Sequence, residues 1–520
     1  MPSVPDSVTD RVPSRVETAV FVSGVASMGL EIVAGRQIAP TFGSSVFTWG
    51  SIIGVFLAAL AVGYWLAGKR ARENASRNAL ALVFVATAAY VALLIVAGDP
   101  LLRATENVGL PPRFAPVLPI TILFGPPTVL LGFVSPYGAE LIASEGPGDA
   151  SGQVYALGTG GSIIGSFATT FVLIPEIKEG VVGIEFGFGV LLLLTAVLVA
   201  PRGNGATRAA IGLAAGVLVL SFVFVTYAPL AGGEVVYETQ TTYQQLEVVD
   251  DDGVRTLYLD GVPHSAMDKS DPDRYVFSYT RYFHLSMLAT DDVDNVLFIG
   301  GGGFSGPKRF EKEYDVNIDV VEIDPEVVSA AKQYFGVKES EDFRIHTMDG
   351  REYLDSTNKT YDVVILDAYR ADKVPIQLTT VEFMNLVSQR MDEDGVVVAN
   401  VISARTGPES AFYRAQYRTM DRAFPNVYSF PTSESGRLQN IELVASKSDR
   451  TLSKAEFQRR NRERSIGIDL REEIEFYRGD VDVGDAPLLT DDYAPVDSLL
   501  ARQIDTEYVI ERTNGTRAAG

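Results

Sequence analysis

The sequence predicts two unlike parts: an N-terminal all-α multi-pass membrane domain, and a C-terminal α/β region with a doubly wound parallel sheet behind a small antiparallel β subdomain. Three observations carry this. Seven apolar runs follow one another before residue 230, each near the ~20 residues that a bilayer crossing needs. The charge balance changes at the same place: residues 1–229 hold 13 acidic and 12 basic side chains, and residues 230–520 hold 53 and 32. From residue 295 onward, apolar strands alternate with helical stretches, the pattern of a parallel sheet covered on both faces.

In chain order, residues 1–17 form a tail and residues 18–229 the membrane domain, with spans expected near 18–35, 46–67, 78–98, 115–134, 153–174, 180–200 and 209–229. A cleaved signal peptide does not explain so many segments in series. Glu31, in MGLEIVAGR, falls inside a span, where a carboxylate is costly and points to a functional contact or to pairing with Arg36. The stretch GTGGSIIGS (158–166) reads as close helix packing through small residues, and Pro126–Pro127 as a kink or break in the fourth span. Basic residues in the tail (Arg11, Arg15) and in the loops GKRARENASR (68–77) and PRGNGATR (201–208) mark these as cytoplasmic. Seven crossings then put the C-terminal half outside. A re-entrant fourth segment would leave six crossings and a cytoplasmic C-terminal half, and that is the preferred expectation.

The excess of 53 acidic over 32 basic side chains argues against nucleic-acid binding, which needs clustered Lys and Arg. It fits a surface suited to a salt-rich cytoplasm, as in a halophile. With no cysteine, disulfides and thiolate metal sites are excluded, and three histidines leave little room for a metal site of another kind.

Residues 230–290 carry short strands broken by DDG, a hairpin turn signal. Residues 291–450 hold the expected strands NVLFIG, IDVVEID (318–324), FRIHTMD (343–349), YDVVILDAY (361–369) and DGVVVANVI (394–402), and residues 451–520 form an extension that completes the domain. Helices are expected at PEVVSAAKQYF and TTVEFMNLVSQRM. In VLFIGGGGFSGPKRF the spacing Gly301-x-Gly303-x-x-Gly306 follows a strand directly, so Gly301 is expected to make the tight turn and Gly303 to let a ligand approach the backbone. Glu322, 21 residues after Gly301, ends the next strand, where a carboxylate can accept ribose hydroxyls. Asp349 with Gly350, and Asp367, end the third and fourth strands, so the three acids are expected to converge on one crevice. Each taken singly also reads as a helix cap or turn residue. These features indicate an adenosine-type ligand and are compatible with a nicotinamide cofactor.

The segments YQQLEVVDDDGVRTLYLDG, VVEIDPEVV, MDG (348–350) and YDVVILDAY, together with the glycine turn, resemble the polyamine aminopropyltransferases, or spermidine synthases. MGLEIVAGR and LTDDYAPVD (489–497) look like parts of that family's membrane-anchored members. The resemblance implies a Rossmann-like fold of the methyltransferase type. It also implies no tightly bound cofactor, and transfer of an aminopropyl group from decarboxylated S-adenosylmethionine to putrescine or a related amine. By the same resemblance Asp367 is the proton acceptor, Glu322 binds ribose, Asp349 and Gly350 the adenine side, and Gly301 and Gly303 face the nucleoside. Tyr243, Gln244, His264, Tyr275 and Asp372 are expected at the amine substrate, and a homodimer is expected by analogy. The amine half departs from the family pattern. Its GGGDGG aspartate is Gly303 here, its DSSDP becomes DAYRADKVP, its YHE segment becomes YVFSYTRY, and a glutamine becomes His264. Two other readings therefore stand beside the first: a methyltransferase on the same fold, and a membrane transporter or sensor whose soluble domain binds without turnover.

Overall fold

The computed structural model describes residues 14–42, 45–106, 108, 110–142, 147–177, 180–227, 233–370, 373–503, 508–513 and 517–519. It divides into two compact units, Met1–Leu230 and Ala231–Gly520.

The first unit is helical, and among its described residues seven helical segments are long and apolar enough to cross a membrane: Arg15–Ala39, Val46–Asn74, Arg77–Leu102, Val117–Ile142, Gly148–Glu176, Gly180–Val199 and Gly205–Thr226. Glycines set how closely two of them meet. A Cβ on Gly161 would lie 2.0 Å from the Phe21 carbonyl oxygen, and one on Gly165 would lie 2.3 Å from that of Val25. The helix carrying GTGGSIIGS thus packs backbone to backbone on the first helix, as small residues allow. Glu31 is half-buried on that first helix.

Pro126 lacks the N–H that would bond the Ile122 carbonyl, and the Tyr90 hydroxyl takes that carbonyl instead at 2.6 Å. Thr128 donates to Phe124 O at 2.7 Å in the same turn. The backbone at Phe133 stays right-handed helical (φ −70°, ψ −24°), and the helix resumes over Val134–Ile142. A re-entrant segment needs a reversal, and there is none at this junction. The fourth helix runs through both prolines without turning back, and the Ile122 carbonyl that Pro126 frees finds a side-chain donor in Tyr90. Reporter fusions after residues 110 and 142 are expected on opposite faces of a membrane; finding both on one face would restore the six-crossing arrangement.

The second unit begins with an antiparallel meander: β1 (Glu234–Gln240), β2 (Gln245–Asp251), β3 (Val254–Leu259) and β4 (Val262–Asp268). Asp252–Gly253 joins β2 to β3 and Asp260–Gly261 joins β3 to β4, all four residues with positive φ (44°, 78°, 50°, 75°). These are two-residue hairpin turns of the kind that Asp-Gly favours.

A seven-stranded sheet follows: β5 (Asn295–Ile299), β6 (Asn317–Glu322), β7 (Phe343–Thr347), β8 (Tyr361–Leu366), β9 (Met391–Ser403), β10 (Asn426–Pro431) and β11 (Gln439–Ser446). Their order across the sheet is β10-β11-β9-β8-β5-β6-β7. Strands β5 to β9 run parallel, in register with Ile299 opposite Val321 and Leu366, and Leu366 opposite Ala399. The sheet is not wholly parallel, as the sequence had suggested: β11 lies antiparallel between β9 and β10. Both faces are buried. Val396, Val398 and Val444 contribute to one apolar layer, and Val397, Ala399 and Leu443 to the other. The expected helices form at Pro325–Tyr334, with Asp324 accepting Glu326 N–H at 3.0 Å, and at Val381–Gln389, capped by Thr380.

Candidate active site

The strand order reverses between β5 and β8, so the chain leaves these neighbours in opposite directions and opens a crevice at their carboxyl ends. Gly300 makes the turn out of β5. Its φ is +97°, and a Cβ there would lie 2.4 Å from the Asp367 carbonyl oxygen. No side chain fits, so the end of β5 and the end of β8 are held together, with Asp367 N–H bonded to Ile299 O at 2.9 Å.

The tight-turn role expected of Gly301 belongs to Gly300 and Gly302 (φ +50°), and these two line the cavity. Gly301 N–H turns back to Glu322 Oε2 at 2.9 Å, and Gly303 N–H to Ser265 Oγ of β4 at 2.9 Å. A Cβ on Gly303 would meet Ser265 Cβ at 2.7 Å, so the close approach that this glycine permits is to the meander. Phe304, buried and at φ +57°, closes the turn with its N–H on Gly301 O at 2.7 Å. A bulky residue in the left-handed region is strained, and strain of this kind concentrates at functional turns.

Glu322 is buried, and besides Gly301 it accepts Gly302 N–H at 3.4 Å and Asp324 N–H at 3.0 Å. Burial raises its pKa and those amides oppose the rise. Asp349 caps the helix Gly350–Ser356, accepting Arg351 N–H at 2.8 Å and Glu352 N–H at 3.1 Å, while Gln377 donates to its other oxygen at 3.1 Å. It is a helix cap and a cavity-lining acid together. Gly350 lets that helix start against the sheet, since a Cβ there would lie 2.5 Å from the Ile299 side chain. Asp491, from LTDDYAPVD, holds Arg351 at 2.8 and 2.6 Å and accepts the Thr380 hydroxyl at 2.6 Å, bracing this corner.

Asp367 ends a hydrogen-bonded chain that no spacing in the sequence announces. Tyr508 OH donates to Asn440 Oδ1 at 2.9 Å, Asn440 Nδ2 to Asn400 Oδ1 at 2.9 Å, and Asn400 Nδ2 to Asp367 Oδ1 at 2.8 Å. Burial pushes the Asp367 carboxyl up to about 7, against the pull of the Asn400 and Tyr279 hydrogen bonds. An acid poised there exchanges protons at neutral pH.

Gln244 and His264 line the cavity; Tyr243 is not among the lining residues and is 39 % exposed, though close enough to Asp324, Asp349 and Glu322 for their charges to raise its pKa after burial. His264 is held down to about 3, by burial first and then by Arg370, so it stays neutral; its buried Nε2 has no hydrogen-bond partner. Arg370 is itself paired with Asp260 of the β3–β4 turn at 2.7 Å. Tyr275 is not among the cavity-lining residues. Its hydroxyl meets His284 Nε2 at 2.5 Å, within a cluster that includes Phe310 and Tyr314. The tyrosine of YVFSYTRY that lines the cavity is Tyr279, four residues on, in the 3-10 segment Ser278–Leu285. Asp372 lies outside the described residues. Sequence reasoning also missed Asn400, Asn440, Tyr508 and Ser265. The one available signal was Asn400, a lone polar residue inside the apolar run DGVVVANVI.

The cavity is therefore rich in carboxylates, and Arg370, a cation on its wall, already holds an acid. Replacing Gly300 with Ala is expected to cost at least about 1 kcal/mol of stability, read as a lower melting temperature of the detergent-solubilised full chain. A variant as stable as the parent would show that the β5–β8 contact is not needed.

Residues 276–432 match the family described as the spermine/spermidine synthase domain. The chain is 29 % identical over 242 residues to a polyamine aminopropyltransferase of Vibrio vulnificus, covering 44 % of this chain and 79 % of the relative. It is 31 % identical over 160 residues to that of Chromobacterium violaceum, covering 30 % and 61 %. Among solved structures, it is similar to a probable spermidine synthase from Corynebacterium glutamicum at 19 % identity and TM-score 0.42, covering 52 % of this chain and 99 % of that one. A spermidine synthase from Thermotoga maritima aligns at 24 % identity and TM-score 0.35, over 42 % and 74 %.

Proposed function

We propose, from the premise that residues 276–432 belong to the spermine/spermidine synthase family of transferases, that this protein is a membrane-anchored aminopropyltransferase. Its co-substrate is decarboxylated S-adenosylmethionine, and its acceptor is putrescine or a related amine. The observation that carries the reading is Asp367: a buried carboxyl near neutrality, at the end of β8, against the glycine turn and within one cavity with Glu322 and Asp349.

The sulfonium of the co-substrate is already a good leaving group, so the protein has two tasks: to align an amine with the carbon, and to take its proton. The amine nitrogen forms a bond to the aminopropyl carbon attached to sulfur. The carbon–sulfur bond breaks with its electron pair going to sulfur, giving methylthioadenosine, and the amine proton passes to the Asp367 carboxylate. Glu322 would hold the ribose hydroxyls by releasing its contacts to the Gly301 and Gly302 amides, and Asp349 would face the adenine amino group. Among the altered amine positions, Tyr279 stands in the cavity where Tyr275 was expected. The carboxylate-rich lining suits a cationic substrate better than the neutral or anionic acceptor of a methyltransferase.

The full chain, in detergent, is expected to release methylthioadenosine from decarboxylated S-adenosylmethionine and putrescine. Asp367→Asn is expected to lower the rate by about 10²–10⁴-fold, the share a positioned base supplies. Because burial raises the Asp367 pKa to about 7, its basic form is lost on acidification, and kcat/KM is expected to fall as pH drops through about 7. S-adenosylhomocysteine formed from ordinary S-adenosylmethionine would instead establish a methyltransferase, and nucleoside binding without turnover a sensor.

The co-substrate is intracellular, so we place residues 231–520 in the cytoplasm. With seven crossings the N-terminal tail then faces outward, against the count of loop cations. A reporter fused after residue 234 is expected to read cytoplasmic, and a reading outside would exclude this orientation.

A further inference from the structure

Away from the active-site cavity, a second pocket of the same unit is lined by four arginines: Arg405, Arg414, Arg478 and Arg502. The two share no lining residue. Residues 230–520 hold 53 acidic and 32 basic side chains, so a meeting of four cations runs against the charge of the unit around them. They arrive from separate parts of the chain. Arg405 follows β9, Arg414 stands in the first turn of the helix Ala411–Ala423, Arg478 pairs its backbone with Ser429 of β10, and Arg502 lies just beyond Val496–Leu500. Like charges gathered in this way repel unless something negative lies between them.

The acids nearby do not match them. The lining acids are Asp480 and Asp482, and Asp482 accepts Gly484 N–H at 3.0 Å. Glu434 takes both Arg405, at 3.2 Å, and Arg478, at 2.5 Å, from a side chain that is 60 % exposed and free to move aside. Among the described residues no ion pair or side-chain hydrogen bond reaches Arg414 or Arg502, and the buried Nε atoms of Arg405 and Arg414 have no partner. Arg414 is also misplaced for its own helix. A cation in the first turn meets the positive end of the dipole, no acid stands there to offset it, and the N-cap Ser410 donates to Gly407 O at 2.7 Å instead of capping. Each of these features costs the free protein stability, and one anion in the pocket would relieve them all.

We propose that this pocket binds a phosphate-class oxyanion, with Arg414 and Arg502 as its unpaired donors and Arg405 and Arg478 turning to it from Glu434. A phosphate monoester presents three oxygens and close to two charges, so it can take paired N–H contacts from more than one guanidinium, which a single carboxylate cannot. The site goes beyond the aminopropyl-transfer reading and does not depend on it. A free phosphate compound and the phosphate of an anionic lipid offer the same oxygens, and the experiment separates them.

The full chain in nonionic detergent, in chloride buffer of low ionic strength, is titrated with pyrophosphate by calorimetry. Saturable binding at one site per chain is expected. Arg414→Gln and Arg502→Gln are each expected to weaken it at least about tenfold, the share of a charge-assisted contact, while Arg344→Gln, at an exposed position of β7, leaves it unchanged. Arg414→Gln is expected to melt no lower than the parent without pyrophosphate, since it removes a cation from the helix start; the exposed Arg502 supplies the decision if that variant does not fold. No saturable binding by the parent, or equal weakening by all three variants, would overturn the site. The titration is then repeated in nanodiscs of phosphatidylcholine alone or with phosphatidylglycerol. Loss of pyrophosphate binding with phosphatidylglycerol assigns the pocket to a lipid phosphate, and binding retained in both assigns it to a free phosphate compound. No arm uses turnover, so failure of the aminopropyl-transfer reading leaves the outcome untouched.

Discussion

The site depends on one steric fact: the backbone of Gly300 lies so close to that of Asp367 that no Cβ could stand between them. This contact fixes where β5 ends relative to β8, at the place where the crossovers on either side part company. Everything with chemical meaning is then at one level. Glu322 is one strand away and bound to the turn through Gly301, Asp367 carries on from β8, and Asn400 is one strand further on β9. A displacement of β5 against β8 by one residue would separate the glycine turn from Asp367, because side-chain direction alternates along a strand.

The second theme is the burial of acid without compensating base. Glu322 and Asp367 both have pKa values raised, in each case first by burial. The guanidinium on the cavity wall, Arg370, is held by Asp260, and burial and then Arg370 keep His264 neutral. Such a cavity is costly to fold and well matched to a ligand that brings its own positive charge, the sulfonium and the amines of the proposed reaction. The Tyr508–Asn440–Asn400 chain supplies polarity without charge, so Asp367 is oriented while its pKa stays near neutrality.

Much of this was legible in the sequence, where a local pattern had a local cause. Apolar runs bounded by Gly, Pro and Asp gave β5 to β9, and the DDG turn gave the β2–β3 hairpin. The three strand-end acids were visible for the same reason: parallel strands put their carboxyl ends on one edge. What could not be read depended on tertiary partners. Gly303 looked like a ligand-facing glycine because nothing in the spacing reveals that Ser265 from β4 takes its amide. Tyr275 and Tyr279 lie four apart on one short segment, and only packing decides that the former meets His284 while the latter lines the cavity. Tyr508 reaches the site from beyond every motif. Pro126–Pro127 read as a kink or break, but the continuation of the fourth apolar helix through both prolines and Phe133 was not legible, since the freed Ile122 carbonyl is taken by Tyr90 from another helix.

The three hydrogen bonds that run from Tyr508 to Asp367 all point the same way, each donor facing the acid. Aligned dipoles polarise one another, so the ionised form of Asp367 is favoured by the whole chain and strengthens each bond in it. Tyr508 belongs to the C-terminal segment, which also pairs Arg512 with Phe277. Docking of that segment and ionisation of the acid are therefore linked quantities: whatever free energy one lends the other is returned in equal measure. The segment that carries Tyr508 is in this sense an effector of the buried Asp367, covalently supplied and always present.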